Sequence, residues 1–247
     1  MTELEAIYYL HTDIPRESPG SDDATRKALS RIPSLPEDAR VMDLGCGPGR
    51  ASLVLATSLN THVTAVDLHE PYLQRLAESA KRGGLEQLIT TRVGDMGALT
   101  EDDGTIDLIW SEGAIYLLGF EKGLCYWRQL LRPGGIVVVS ELTRLAADPD
   151  AVTFWADAYP ALTTIDGNRE LAGRAGFEVI DHFVMPESCW WDNYLTPLAA
   201  RVAALRAEAA DNPVLGAVLD EAEAEAEAYR RDHESIGYVF YIMRWAE

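Results

Sequence analysis

The chain is poor in three things. Cysteine occurs only at Cys46, Cys125 and Cys189, an odd number with wide gaps and no metal-ligand spacing. A disulfide framework is therefore excluded, no metal is expected, and a reducing compartment fits best. Positive charge is scarce: 21 Lys and Arg stand against 40 Asp and Glu, a formal charge of −19. Binding to nucleic acid rests largely on Lys and Arg neutralising phosphates, so nucleic acid is not an expected partner. Long apolar runs are missing too. Stretches such as Ile136–Val139 are far too short to span a bilayer. Met1–Thr12 carries Glu3 and Glu5 in place of a basic segment leading into an apolar one. Neither a membrane partner nor a signal peptide is expected, and a cytoplasmic location is. What remains is an ordinary globular composition, 47% apolar and 25% charged over 247 residues, suited to one α/β domain with additions.

From residue 40 onward, short apolar strands alternate with helices. Strands are expected at Arg40–Leu44, His62–Val66, Ile89–Val93, Ile106–Trp110 and Ile136–Ser140, with helices at Arg50–Leu59, Pro71–Arg82 and Glu121–Leu131. Before them, Ser21-Asp22-Asp23 reads as an N-cap with acids in the first turn of a helix to about Arg31, and residues 1–20 show no regular pattern. Beyond residue 142 the pattern weakens to helices at Asp148–Tyr159 and Arg169–Ala175 and strands at Phe177–Val184 and Gly237–Trp245. Between those strands Glu221, Glu223, Glu225 and Glu227 alternate with Ala; both residues favour helix over strand, so the segment reads as a solvated helix. Residues 187–247 hold twelve acids and five bases, −7 of the total charge. Apolar strands interleaved with helices mean parallel βαβ units, which bind ligands beyond the C-terminal strand ends where strand order reverses.

The segment Asp43-Leu44-Gly45-Cys46-Gly47-Pro48-Gly49 lies at such an end. Three alternate glycines between a strand and a helix allow a tight turn and a close ligand. The spacing is not the G-x-G-x-x-G of a dinucleotide site, which speaks against a nucleotide-cofactor oxidoreductase. Asp43 would repel a pyrophosphate and attract an ammonium, and Asp67, 24 residues further on, is placed to accept from two ribose hydroxyls. A ligand with a ribose and an ammonium but no phosphates is S-adenosylmethionine. Gly94-Asp95-Met96 ends the third strand, where Asp95 could accept from an adenine amino group and Met96 could lie on the ring.

These segments, with Val66-Asp67-Leu68, Ile106–Glu112 and Leu131–Val139, resemble the class I S-adenosylmethionine-dependent methyltransferases over residues 38–142. Arg16–Ser21, Trp110–Tyr116, Pro186–Trp190 and Gly237–Tyr241 are further similar to a bacterial stand-alone, small-molecule-type group of that family. The resemblance implies a doubly wound, mostly parallel seven-stranded sheet, a Rossmann-like methyltransferase fold, with a last antiparallel strand at 237–247. One domain is expected, with an N-terminal helical cap over 1–37, a cofactor-binding core over 38–186 and a helical insertion over 187–236. By the family pattern Asp43, Gly45, Cys46, Gly47 and Gly49 hold the methionine end, and Asp67 the ribose. Leu68 and Met96 sandwich adenine, Asp95 binds its amino group, and Ser111 and Glu112 border the methyl region. Arg16 and Ser21 are candidates for the methionine carboxylate or for closing the site.

Methyl transfer from a sulfonium needs alignment and a deprotonated acceptor rather than a nucleophilic triad. Glu112, Glu141, His11 and His182 are the candidate bases. An Asn/Asp-Pro-Pro-aromatic motif is absent after the fourth strand, where the chain has Trp110-Ser111-Glu112-Gly113, so base and glutamine amide nitrogens are not expected acceptors. Aromatic side chains including Tyr116, Trp155, Trp190 and Tyr194, together with His11, are the candidate acceptor contacts. The expected function is methyl transfer to a small-molecule N or O acceptor, releasing S-adenosylhomocysteine. The alternative is a regulatory or sensing protein that binds the cofactor without turnover. The insertion offers a lid or a homodimer surface, and a homodimer is expected.

Overall fold

The computed structural model describes residues 1–147 and 152–246. The apolar segments form β1 (Val41–Leu44), β2 (Val63–Asp67), β3 (Ile89–Val93), β4 (Ile106–Glu112), β5 (Leu131–Arg144), β6 (Phe177–Val184) and β7 (Ile236–Trp245) in one sheet of order β3-β2-β1-β4-β5-β7-β6. All pairs among β1 to β5 are parallel, and β7 runs antiparallel to both β5 and β6, as the resemblance implies. Strand order reverses between β1 and β4.

Side-chain alternation divides the core into two layers. Val41, Val63, Ala65, Leu108, Trp110, Val138 and Phe240 face the layer of α1 (Glu3–Leu10), α2 (Asp22–Leu29), α3 (Arg50–Leu59) and α4 (Glu70–Arg82). Met42, Leu44, Ile109, Val137, Val139 and Tyr241 face α5 (Phe120–Leu130) and α7 (Ile165–Arg174). β1 is buried throughout and β4 nearly so, and apolar residues dominate both, with Asp43, Asp107 and Ser111 buried among them.

The structure differs from the sequence reading in four places. Residues 3–10 form α1, started by a capping box: Glu5 N–H donates to Thr2 Oγ1 at 3.2 Å and Thr2 N–H donates to Glu5 Oε2 at 2.8 Å. Of the helix expected at Asp148–Tyr159, residues 148–151 lie outside the described residues, and α6 spans Thr153–Ala158. The next helix, α7, starts at Ile165 because Thr164 caps it, its Oγ1 accepting from Gly167 N–H at 3.1 Å. β5 continues to Arg144 along β7, so Glu141 lies within the strand, opposite Val239, and not after it. The insertion comprises α8 (Ser188–Trp190), a π-helical turn (Trp191–Leu195), α9 (Thr196–Ala209) and α10 (Pro213–Asp232), and α1 packs on α9 and α10. Among the described residues, no helix is long and apolar enough to cross a membrane.

Candidate active site

β1 ends at Leu44, and the chain turns through Gly45-Cys46-Gly47-Pro48-Gly49 into α3. The three glycines have φ of 67°, 52° and 81°. A Cβ on Gly45 would lie 2.6 Å from Ala114 Cβ, and one on Gly49 2.3 Å from Leu76 Cδ1, so backbone region and space both exclude side chains. β2 holds the turn in place. Val66 O accepts from Gly45 and Cys46 N–H at 2.9 and 3.1 Å, and Asp67 Oδ2 accepts from Gly47 N–H at 2.8 Å. Asp67 Oδ1 accepts from His69 N–H at 2.8 Å. Burial raises the Asp67 pKa and these two donors oppose the rise. A carboxylate offers about four lone-pair positions, so Asp67 can still accept from a ligand.

Beneath the turn, Asp43 is buried, with Oδ2 accepting from Ser52 Oγ at 2.6 Å. Burial pushes its carboxyl up to about 7. It lines a recess of about 40 Å³ with Gly45, Cys46, Gly47, Arg16, Glu17 and Glu112. Glu112 ends β4 with both oxygens engaged. Oε2 accepts from Arg16 Nη1 at 2.9 Å, and Oε1 accepts from Thr25 Oγ1 at 2.7 Å and Trp110 Nε1 at 2.9 Å. Arg16 Nη2 also donates to Asp22 Oδ1 at 3.0 Å. The segment carrying Arg16 is tied down beyond it, with Gly20 N–H donating to Cys189 O at 3.0 Å and Asn193 Nδ2 donating to Gly20 O at 3.1 Å. Ser21 caps α2 through Ala24 N–H at 3.0 Å.

A larger cavity of about 510 Å³ continues from Gly45, Gly47 and Asp67 to Tyr116, Tyr159, Tyr194, Tyr238 and Glu225, with Ile7, Tyr8 and Leu10 of α1 along one side. Tyr8 stacks on His69 with ring centroids 3.6 Å apart. His11 also lines it. Its Nδ1 lies 2.8 Å from Glu17 Oε2, which accepts from Tyr72 OH at 2.5 Å as well. Glu17 Oε1 is buried without a hydrogen-bond partner among the described residues. A histidine oriented by a carboxylate through one ring nitrogen keeps the other for proton transfer.

The sequence-chosen residues thus divide. Asp43, Gly45, Cys46, Gly47, Arg16 and Glu112 meet at the recess, and Asp67, His11, Tyr116 and Tyr194 at the cavity. Gly49 sits behind the turn against Leu76. Ser111 is fully buried and joins β4 to β1, its Oγ donating to Leu44 O at 2.8 Å. Leu68 and Asp95 are exposed and Met96 is buried beneath Gly45; none of the three lines the cavity.

Four expectations are corrected. Trp155 is buried in the helical layer with Nε1 donating to Asp232 Oδ2 at 3.1 Å, and Trp190 is buried and stacked on Tyr229 at 4.0 Å; both serve packing. His182 lies on β6 at the sheet edge, beside Tyr241 and away from the reversal point. Glu112 lines both the recess and the cavity, its carboxylate braced by Arg16, Thr25 and Trp110. Glu141 is not among the described residues that line the cavity; its Oε2 is buried without a hydrogen-bond partner among the described residues, and burial pushes its carboxyl up to about 8.

That last shift has a sign. The native state keeps a proton on Glu141 that the unfolded chain releases near its ordinary value of 4.5, so this group's contribution falls as pH rises from about 4.5 to about 8. Glu141→Gln, which stays neutral, is expected to be more stable than the native sequence at alkaline pH and nearly equal to it in acid. Urea melts at the two extremes check this; an equal effect at both contradicts it.

Sequence reasoning missed Glu17, Tyr238 and Glu225 as cavity residues. Glu225 had a signal: Val218, Ala222, Glu225 and Tyr229 follow the helical period, which places Glu225 on the packed face of α10, with Glu223 and Glu227 turned outward. Nothing in the sequence brings Glu17 to Gly47.

Residues 41–135 match the family model described as a methyltransferase domain. A glycine/sarcosine/dimethylglycine N-methyltransferase of Actinopolyspora halophila is 30% identical over 122 residues, which is 49% of this chain and 21% of that protein. The chain thus covers about a fifth of that relative's length. Among solved structures, a SAM-dependent methyltransferase from Thiobacillus denitrificans in complex with S-adenosyl-L-homocysteine superposes with a TM-score of 0.81 at 18% identity, covering 98% of each chain. The [4+2]-cyclase SpnF gives 0.72 at 23% identity, covering 91% of this chain and 81% of its own. The sheet order, the glycine turn and these likenesses define the class: this is the class I methyltransferase fold. Within it, residues 41–135 are the part that matches the methyltransferase-domain model.

Proposed function

We propose that the protein is an S-adenosylmethionine-dependent methyltransferase acting on a small-molecule N or O acceptor. The observation that carries this reading is the continuous cavity running from Gly47 and Asp67 to His11 and the tyrosines. The donor set suits the cofactor. Asp43 faces the recess with one oxygen held by Ser52, leaving the other for the methionine ammonium, and Asp67 has acceptor capacity for the ribose. When bound, the cofactor supplies an activated methyl on a sulfonium. Transfer of that methyl to the acceptor lone pair would leave S-adenosylhomocysteine as the product. The acceptor's proton passes to His11 Nε2, with Glu17 orienting the ring through Nδ1. Arg16 and Glu112 fix the wall beside the methyl region.

Binding without turnover is the second reading, favoured by the hydrogen bonds that already hold both oxygens of Glu112. Calorimetric titration with S-adenosylmethionine, then a metabolite extract assayed for S-adenosylhomocysteine release, separates the two. No binding defeats both, and binding without release in any fraction favours the second. A cytoplasmic location and a homodimer through the insertion complete the proposal. A groove between α9 and α10, where Ala199, Ala222 and Ala226 lie beside Glu223, Glu227 and Arg230, is the surface offered for the dimer. A monomer mass in light scattering removes it.

A further inference from the structure

Five separate elements bring four phenols and one acid to the far end of the cavity. Tyr116 lies in the turn after β4, Tyr159 after α6, Tyr194 in the π-helical turn, Tyr238 on β7 and Glu225 on α10. Tyr194 OH donates to Glu225 Oε2 at 3.0 Å, and Tyr116 and Tyr159 meet edge to face with centroids 5.7 Å apart. Burial raises all four phenols, and the Glu225 charge adds to the rise in each. Glu225 is itself raised by burial.

A buried carboxylate is unfavourable unless a cation accompanies it. Among the described residues lining the cavity there is no Lys or Arg. His11 is the one lining residue able to carry positive charge, and its Nδ1 is committed to Glu17. Aromatic faces around an acid attract a cation through the ring quadrupole. The opposite charge fares badly here: Glu225 lies at this end and Glu221 also lines the cavity, and an incoming anion would meet them without a guanidinium among the described lining residues to receive it.

We propose that this end of the cavity takes an organic amine that binds as its ammonium form and carries no carboxylate, phosphate or other anionic group. The ammonium lies against Glu225 among the tyrosine rings, and the apolar body lies along Leu198 and Val218. Amino-acid acceptors such as those in the name of the Actinopolyspora relative are disfavoured, because each brings a carboxylate. The inference rests on reading the cavity as the donor and acceptor site.

Three probes of one shape test it: phenethylamine, phenethyl alcohol and phenylalanine, titrated calorimetrically into the whole chain with and without S-adenosylhomocysteine. The amine is expected to bind at least about tenfold more tightly than the other two. Glu225→Gln is expected to reduce that preference to under about threefold while S-adenosylhomocysteine affinity holds. Tyr116→Phe is expected to keep the preference and Tyr116→Leu to lower it, at a position exposed enough to tolerate both. If the alcohol or the amino acid binds as well as the amine, or the amine shows no preference, the inference is overturned. If S-adenosylhomocysteine itself fails to bind, the cofactor reading fails, and the titrations without it still decide the acceptor question.

Discussion

Asp67→Ala is expected to weaken S-adenosylmethionine binding by about 100- to 1000-fold. The carboxylate does two things at once. It accepts from Gly47 and His69 N–H, at 2.8 Å each, and so holds the glycine turn in its ligand-ready shape. It also lines the cavity, with acceptor positions left over for a ribose. Hydrogen bonds to a charged group contribute roughly 1.5–3 kcal/mol each, and every 1.4 kcal/mol is about tenfold in affinity. Losing the loop anchor and the ribose contact together accounts for the expected range. Asp67→Asn keeps one acceptor but points an N–H group at a backbone donor, and an intermediate loss is expected. Titration calorimetry on both variants decides the matter. An alanine variant within about threefold of the native sequence would remove Asp67 from the cofactor site.

Arg16→Ala is expected to destabilise the fold by about 3 kcal/mol, because removing one member of a buried ion pair leaves the other charged and uncompensated. Arg16 and Glu112 side chains are 8% and 7% exposed, and the arginine also reaches Asp22. Thr25 and Trp110 still donate to Glu112 in the variant, which keeps the cost at the lower end of what buried pairs show. Neutralising the orphan in the double variant Arg16→Ala/Glu112→Gln is expected to recover part of the loss. The measurement is the midpoint of urea unfolding. A single variant within about 0.5 kcal/mol of the native sequence, or a double variant worse than the sum of both singles, would contradict this account.

The sequence was most legible where local rules and tertiary demands agree. Arg50–Leu59 and Phe177–Val184 have the bounds that periodicity and stop signals predict, and the glycine turn with its two strand-end acids lies where a parallel sheet needs it. It was least legible where a residue's role depends on chain segments far apart. Glu17 reaches Gly47 only because residues 15–20 cross the turn, pinned between Glu112 and the insertion. Trp155 and Trp190 have the composition of an acceptor wall, yet packing of the helical layer claims them, with one indole given to Asp232. Glu141 shows the limit of reading a strand end from its apolar run: pairing with β7 carries β5 past it. The Glu/Ala stretch is a helix, as its composition implied against its period of two, but at 3.6 residues per turn one of its acids, Glu225, faces the cavity and not the solvent.

Glu17 borders both chambers, the small recess at the glycine turn and the large cavity beyond it. One oxygen already answers to His11 and Tyr72, and the other answers to nothing among the described residues. A donor molecule on one side and its co-reactant on the other therefore feel the same carboxyl group. Linkage makes that relation mutual: whatever factor the first arrival imposes on the second's affinity, the second imposes on the first.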